Sequence, residues 1–201
     1  MARKGRWKEN PTRRSRQHRK RRTRGREDRQ RFLIVCEGQE TEPQYFRRFR
    51  VPGHVQGFGI SPSQLVNKAL EMKTQDEYDH VWCVFDRNNW GAGEFNGAIQ
   101  RAVSQGIRVA YSNQAFELWY LLHFHFYQTP MPRKEYQGKL SQLLGYRYRK
   151  NATDLYDRLA AKQELAITHA EKLLAQYSLH NPANEDPSTT VHRLVIELNN
   201  S

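Results

Sequence analysis

The chain has 201 residues, two cysteines and a formal net charge of +12, enough for one domain with a real core and little more. Two cysteines exclude a disulfide framework and, by themselves, a zinc site. No apolar run nears the ~20 residues that cross a bilayer, and none follows the opening "MARKGRWKEN", so neither export nor a membrane anchor is expected and a cytoplasmic protein is.

The charge is uneven: residues 1–31 hold 15 Lys+Arg against 3 Asp+Glu, and residues 32–201 hold 18 of each. Residues 1–30, with almost nothing apolar besides Trp7, cannot bury enough surface to offset the entropy of ordering, and disorder in the free chain is expected. The run "RRSRQHRKRRTRGR" presents Arg13, Arg14, Arg16, Arg19, Lys20, Arg21, Arg22 and Arg24. Arginine forks suit the phosphate backbone of DNA or RNA, with an affinity that falls steeply with salt. The alternative is a solubility or ribosome-contacting tail without a dedicated target.

"FLIVC" (Phe32 to Cys36) is a short continuous apolar run, the mark of a strand buried on both faces. "TEPQ" predicts a helix start, with Thr41 as N-cap, Pro43 in the first turn and Gln44 as capping-box partner. "HVQGFGI" predicts a second strand. "SPSQ" repeats the capping box at Ser61, and Leu65, Ala69 and Met72 form the buried stripe of a helix to about Lys73. "HVWCVF" (His80 to Phe85) is the strongest strand signal; a helix from about Gly93 to Gln105 stops at Gly106, and "IRVAYS" follows as a fourth strand.

Alternating strands and helices predict a three-layer α/β sandwich on a mostly parallel sheet over 31–112. Residues 113–201 read as almost entirely helical: "NQAFELWYLLHFHF", "PRKEYQGKLSQLL", a long piece from Asn151 to Tyr177, and a final helix after "NEDPSTT".

Open parallel sheets bind ligands at the carboxyl ends of their strands. Glu37-Gly38 follows "FLIVC", and Asp86-Arg87-Asn88-Asn89 follows "HVWCVF". In one crevice, Glu37 and Asp86 would repel unless a cation lay between them, and hard oxygen donors with retained water suit Mg²⁺ or Mn²⁺. Gly38 would let the backbone approach a phosphate. The competing reading makes Glu37 a strand-end residue and Asp86 a loop cap. Glu117 sits among Phe116, Leu118, Trp119, Leu121 and Leu122, where a carboxylate must be paired, with an arginine such as Arg87, or do chemistry. His123 and His125, two apart, leave the helix on different faces and make no joint metal site. Cys36 and Cys83 read as reduced core thiols. Walker A, GxGxxG and GxSxG patterns are absent.

Four blocks, "LIVCEGQETEPQYF", "VWCVFDRNN", "AYSNQAFELWYLLHF" and "STTVHRLVIEL", resemble in order and spacing the RloB-like proteins, from about Arg31 to the C-terminus. The resemblance implies a Toprim-like fold in which a Glu after the first strand and a DxD after the third hold Mg²⁺ for phosphodiester cleavage. Glu37 matches the glutamate and Asp86 the first aspartate. Asn88 stands in place of the second and offers a neutral carbonyl oxygen in a metal shell of Glu37, Asp86 and Asn88; Glu40 or Glu42 could add the missing charge. "SNQAFELW" is similar to the family's "SNPxFELW", which implies a site role for Glu117. The resemblance further implies an Mg²⁺- or Mn²⁺-dependent nuclease of antiphage defence, acting on DNA or RNA (tRNA included) beside an ABC/OLD-like ATPase; a homo-oligomer is compatible with the sequence. Arg87, with the tail arginines, would contact the nucleic acid, and Glu40 could serve as base. The alternative is a non-catalytic nucleic-acid-binding or sensor subunit with a degenerate site.

Overall fold

The computed structural model describes residues 29–201; the basic run and its expected disorder lie outside the described residues. The element order is β1 (Phe32–Cys36), α1 (Thr41–Arg47), β2 (Gly53–Gly57), α2 (Pro62–Lys73), β3 (His80–Asp86), α3 (Ala92–Ser104), β4 (Arg108–Asn113), α4 (Glu117–Leu122), α5 (Arg133–Leu144), α6 (Leu155–Leu159), α7 (Gln163–Leu174), β5 (Ser188–Thr189) and α8 (Val191–Asn199). The sheet runs β2-β1-β3-β4-β5. β1 pairs in parallel with β2 and β3, and β3 with β4. The expected α/β architecture on a mostly parallel sheet is present.

Alternation along the strands splits the core in two. Phe32, Ile34, Cys36, Trp82, Val84 and Ala110 pack with residues of α1, α4, α7 and α8. Leu33, Val35, Val81, Cys83, Phe85 and Tyr111 pack with residues of α2 and α3. Both cysteines are free and buried, and burial pushes the Cys83 thiol up to about 12 and Cys36 well above its ordinary range. Neither thiol is a thiolate nucleophile at neutral pH.

The Ser61 capping box forms on both sides: the Ser61 hydroxyl accepts from Gln64 N, and the Gln64 side chain accepts from Ser61 N. At α1 the structure differs from the sequence expectation. Glu40 is the N-cap without a side-chain cap bond, because Thr41 is buried and its hydroxyl donates to the Lys150 carbonyl at 3.2 Å. A long-range partner has displaced the local one.

Three expectations for the second half need correction. Helix α4 covers only Glu117–Leu122, since Asn113 still belongs to β4. The long helix from Asn151 breaks at the 3₁₀ turn Ala160–Lys162, between α6 and α7. The segment is not wholly helical: β5 pairs antiparallel with β4, matching Ser112 to Thr189 and Asn113 to Ser188. Two residues are too short for a periodic strand signal, and Thr190 secures the edge instead, its hydroxyl accepting from Tyr111 N and donating to Val109 O. Among the described residues no helix is long and apolar enough to cross a membrane.

Ser61→Ala should lower stability by about 1 kcal/mol, the usual worth of an N-cap, read as a fall of roughly 2–4 °C in melting temperature.

Candidate functional site

Parallel register brings the ends of β1 and β3 side by side: Cys36 is level with Val84, and Glu37 N donates to Val84 O at 2.8 Å. The chain just beyond each strand therefore meets its neighbour. The Glu37 carboxylate crosses that gap and accepts three hydrogen bonds, from Asp86 N (3.0 Å), Asn88 Nδ2 (2.9 Å) and Trp90 Nε1 (3.2 Å). Asn88 adopts φ +42°, a left-handed conformation that asparagine tolerates better than most residues.

This junction lines a cleft of about 620 Å³, into which Glu37, Glu40, Glu42, Asp86 and Glu117 all face. Glu42, Asp86 and Glu117 are 5%, 4% and 2% exposed. Burial, then repulsion from Glu42, Glu117 and Glu37, pushes Asp86 well above the usual carboxylate range, with Arg133 opposing. Burial again leads at Glu42, joined by Glu117 and Glu37 and opposed by its backbone bonds and Lys150, and brings it to about 7. Glu117 takes a long 3.5 Å bond from the Tyr148 hydroxyl. Glu40 is exposed at the rim.

Gly38, where a close approach of phosphate was expected, lines the cleft and also makes room for a neighbour. A Cβ there would lie 2.1 Å from Glu42 Oε2, so the missing side chain makes room for the Glu42 carboxylate against the β1–α1 turn.

Arg87, expected as a partner for Glu117 or nucleic acid, follows Asp86 and so leaves on the opposite side of the sheet, where it lies 5.9 Å from the centroid of the Phe95 ring of α3. Arg133 stands beside the acids instead: it donates to Asn88 Oδ1, and its guanidinium lies 4.0 Å from Asp86 Oδ2. Lys150 completes the cationic part of the lining. Arg133 and Lys150 carry no sequence signal, because both lie on otherwise polar surface segments of the second half. Trp90, a lone indole in "NNWGAG", is the one missed residue whose context was suggestive. His123 is fully buried, held by Trp119 O at 2.9 Å, and burial lowers it to about 4; it is a core residue.

The donor set suits a hard divalent cation. Carboxylates share the cleft, and a cation would relieve the part of the upward shifts of Asp86 and Glu42 that comes, after burial, from their acidic neighbours. Among the described residues no three His, Cys, Asp or Glu side chains form a complete metal cage, so Glu37 and Asp86, with the Asn88 carbonyl, would hold such an ion together with water, the usual habit of Mg²⁺.

The family described as RloB-like protein matches residues 32–198. No curated protein and no solved structure matches the chain.

Glu42 gives a pH prediction with a definite sign. Its folded value of about 7 lies above its ordinary 4.5, so the folded state is penalised once the unfolded group ionises, fully above about pH 7 and not below about pH 4.5. Glu42→Gln should therefore melt higher than the parent at pH 8, by about 3 kcal/mol or roughly 6–12 °C. The gain should shrink to roughly a quarter at pH 5 and vanish below about pH 4; equal gains at pH 8 and pH 4 would contradict the buried-charge account.

Proposed function

Because the chain belongs to the RloB-like family and gathers Glu37, Glu42, Asp86 and Glu117 in one cleft at the carboxyl edge of a parallel sheet, we propose that it is a metal-dependent nuclease cutting DNA or RNA phosphodiesters in bacterial antiphage defence. The observation that carries this reading is the gathering of four carboxylates in one cleft, two of which, Glu42 and Asp86, are pushed up by burial and by their acidic neighbours. Side chains in such a state have a use for a cation, and strongly shifted acids in a cleft mark working sites more often than structural ones.

Glu37 and Asp86, with Asn88, would hold Mg²⁺ or Mn²⁺. Such an ion, when bound, lowers the pKa of an attacking water and offsets charge on the leaving oxygen. The protein's own part is positional. Three hydrogen bonds fix the Glu37 carboxylate, and Gly38 admits Glu42. With a value near 7, Glu42 is matched to proton transfer at neutral pH; Glu40, at the exposed rim, is the alternative base. Glu117 adds negative charge from beneath. A Toprim-like ancestry and an ABC/OLD-like ATPase partner follow from the resemblance of the sequence blocks, and the basic run at residues 13–24 would hold the nucleic acid.

One observation favours a second reading, a nucleic-acid-binding or sensor subunit without catalysis. Asn88 replaces a charged ligand, and its amide is engaged on both sides, donating to Glu37 and accepting from Arg133.

End-labelled DNA and tRNA incubated with Mg²⁺ or Mn²⁺ separate the two. The parent should cut at least one of them, and Glu37→Ala should cut about a hundredfold less. If the parent cuts neither with any divalent ion, alone or with a partner ATPase, the nuclease reading fails and the binding reading stands. Deleting residues 1–28 should weaken nucleic-acid binding and flatten its dependence on salt; unchanged binding would refute the role given to the basic run.

A further inference from the structure

We propose that Arg133 and Lys150, both contributed by the second half of the chain, form the phosphate-holding wall of the acidic cleft and seat one phosphodiester of the nucleic acid against the carboxylates. The inference rests on the nucleic-acid reading above and names the residues that make the cleft habitable for a polyanion.

Five acids face the cleft. A phosphodiester brought among them meets repulsion of several kcal/mol at the short distances and reduced dielectric of such a site, and a divalent ion offsets only part of it. Cations in the wall are therefore required for substrate entry. Arg133 and Lys150 are the Lys and Arg residues that line the cleft, and they mark different ends of it. Arg133 stands at the β3 end, on Asn88 and beside Asp86. Lys150 stands at the α1 end, where its carbonyl accepts from Thr41 and its charge acts on Glu42. A phosphate lying between those ends has a cation on either side.

Both side chains keep unspent capacity. Some arginines elsewhere are closed onto carboxylates: Arg31 makes two bonds to Asp76 (2.8 and 2.6 Å), Arg108 meets Glu197 at 2.5 Å, and Arg158 meets Asp154 at 2.7 Å. Arg133 gives one hydrogen bond to a neutral amide, and 4.0 Å to Asp86 is a loose approach rather than a closed pair. Its side chain is 40% exposed beside a carboxylate at 5%, so the fork is far more open to solvent than the acid. The planar guanidinium has five donors, and two can meet one phosphate in parallel. Lys150 is exposed and has no ion-pair partner among the described residues.

The placement has a structural consequence. The acids come from β1, α1, β3 and α4, whereas the cations come from α5 and the segment before α6. The carboxylates and the phosphate grip thus sit on separate stretches of chain, joined at Thr41–Lys150 and Asn88–Arg133.

A probe with a single phosphodiester tests this without cutting. Thymidylyl-thymidine is titrated into the full chain and read through the fluorescence of Trp90, which lines the cleft, with Trp90→Phe as the blank that removes signals from the other indoles. The parent should respond; Arg133→Gln and Lys150→Gln should each weaken binding by about tenfold, and Arg133→Lys should recover part of the loss. A parallel titration with Mn²⁺ should still saturate in the parent and both glutamine variants, which shows that the acid side of the cleft is intact; Arg133→Gln should bind Mn²⁺ more tightly, because it frees the Asn88 oxygen and removes a cation beside Asp86. Superimposable dinucleotide curves for parent and variants, or no Trp90-dependent response in the parent, overturn the proposal. The two readings fail separately. A parent that binds through Arg133 and Lys150 but cuts nothing keeps the phosphate wall and loses the nuclease, whereas a parent that cuts with both variants unchanged does the reverse.

Discussion

Like-charge repulsion at the carboxyl edge of the sheet is the constraint around which the rest of the molecule is arranged. Carboxylates crowded out of water destabilise a fold unless each finds a donor, a proton or a cation. All three answers occur here. Glu37 has donors, accepting from a backbone amide, an asparagine and an indole. Glu42 and Asp86 hold their protons more tightly than free carboxyls do. Arg133 and Lys150 stand as cations in the wall. Packing alone gives no reason to crowd acids in a cleft, since burial and mutual repulsion both work against their charged forms.

The surrounding architecture serves that cluster. A parallel pairing of β1 with β3 sets both strand ends level, which is how Glu37 reaches Asp86 across one strand spacing. Glycine at 38 leaves space for Glu42. Thr41 gives up a helix cap to hold the Lys150 carbonyl, so the second half of the chain is tied to the first turn of α1. Packing of α4 against the sheet then buries Glu117 beneath the same cleft. Stability is traded for a polarised, partly dry site at one edge, with two hydrophobic clusters behind it on the two faces of the sheet.

Much of this was legible in the sequence, and the failures have physical causes. Glu37 and Asp86 follow the two clearest apolar runs, and a strand buried on both faces is among the least ambiguous local signals; the rule that ligands gather at strand ends did the remainder. Glu117 stood out because a carboxylate inside an apolar helix must either be paired or do chemistry. By contrast, the helix over 113–126 was overestimated because uniform apolarity marks burial without marking length. Arg87 was paired with the wrong side of the sheet, although strand alternation from Asp86 already placed the two on opposite faces.

By itself the sequence determined the alternation of strands and helices, the parallel sheet, the capping box at Ser61, the burial of both cysteines and the acids that end β1 and β3. These are consequences of neighbours within a few positions, where periodicity and capping act. Only the tertiary structure decided which residues surround those acids: Trp90 on Glu37, Glu42 tucked against Gly38, Arg133 on Asn88, and Lys150 held by Thr41 from 109 positions away. It also added β5, two residues whose strand character comes from β4 and not from their own propensity. Contacts between segments so distant in the chain depend on how whole layers stack, and no local pattern records that.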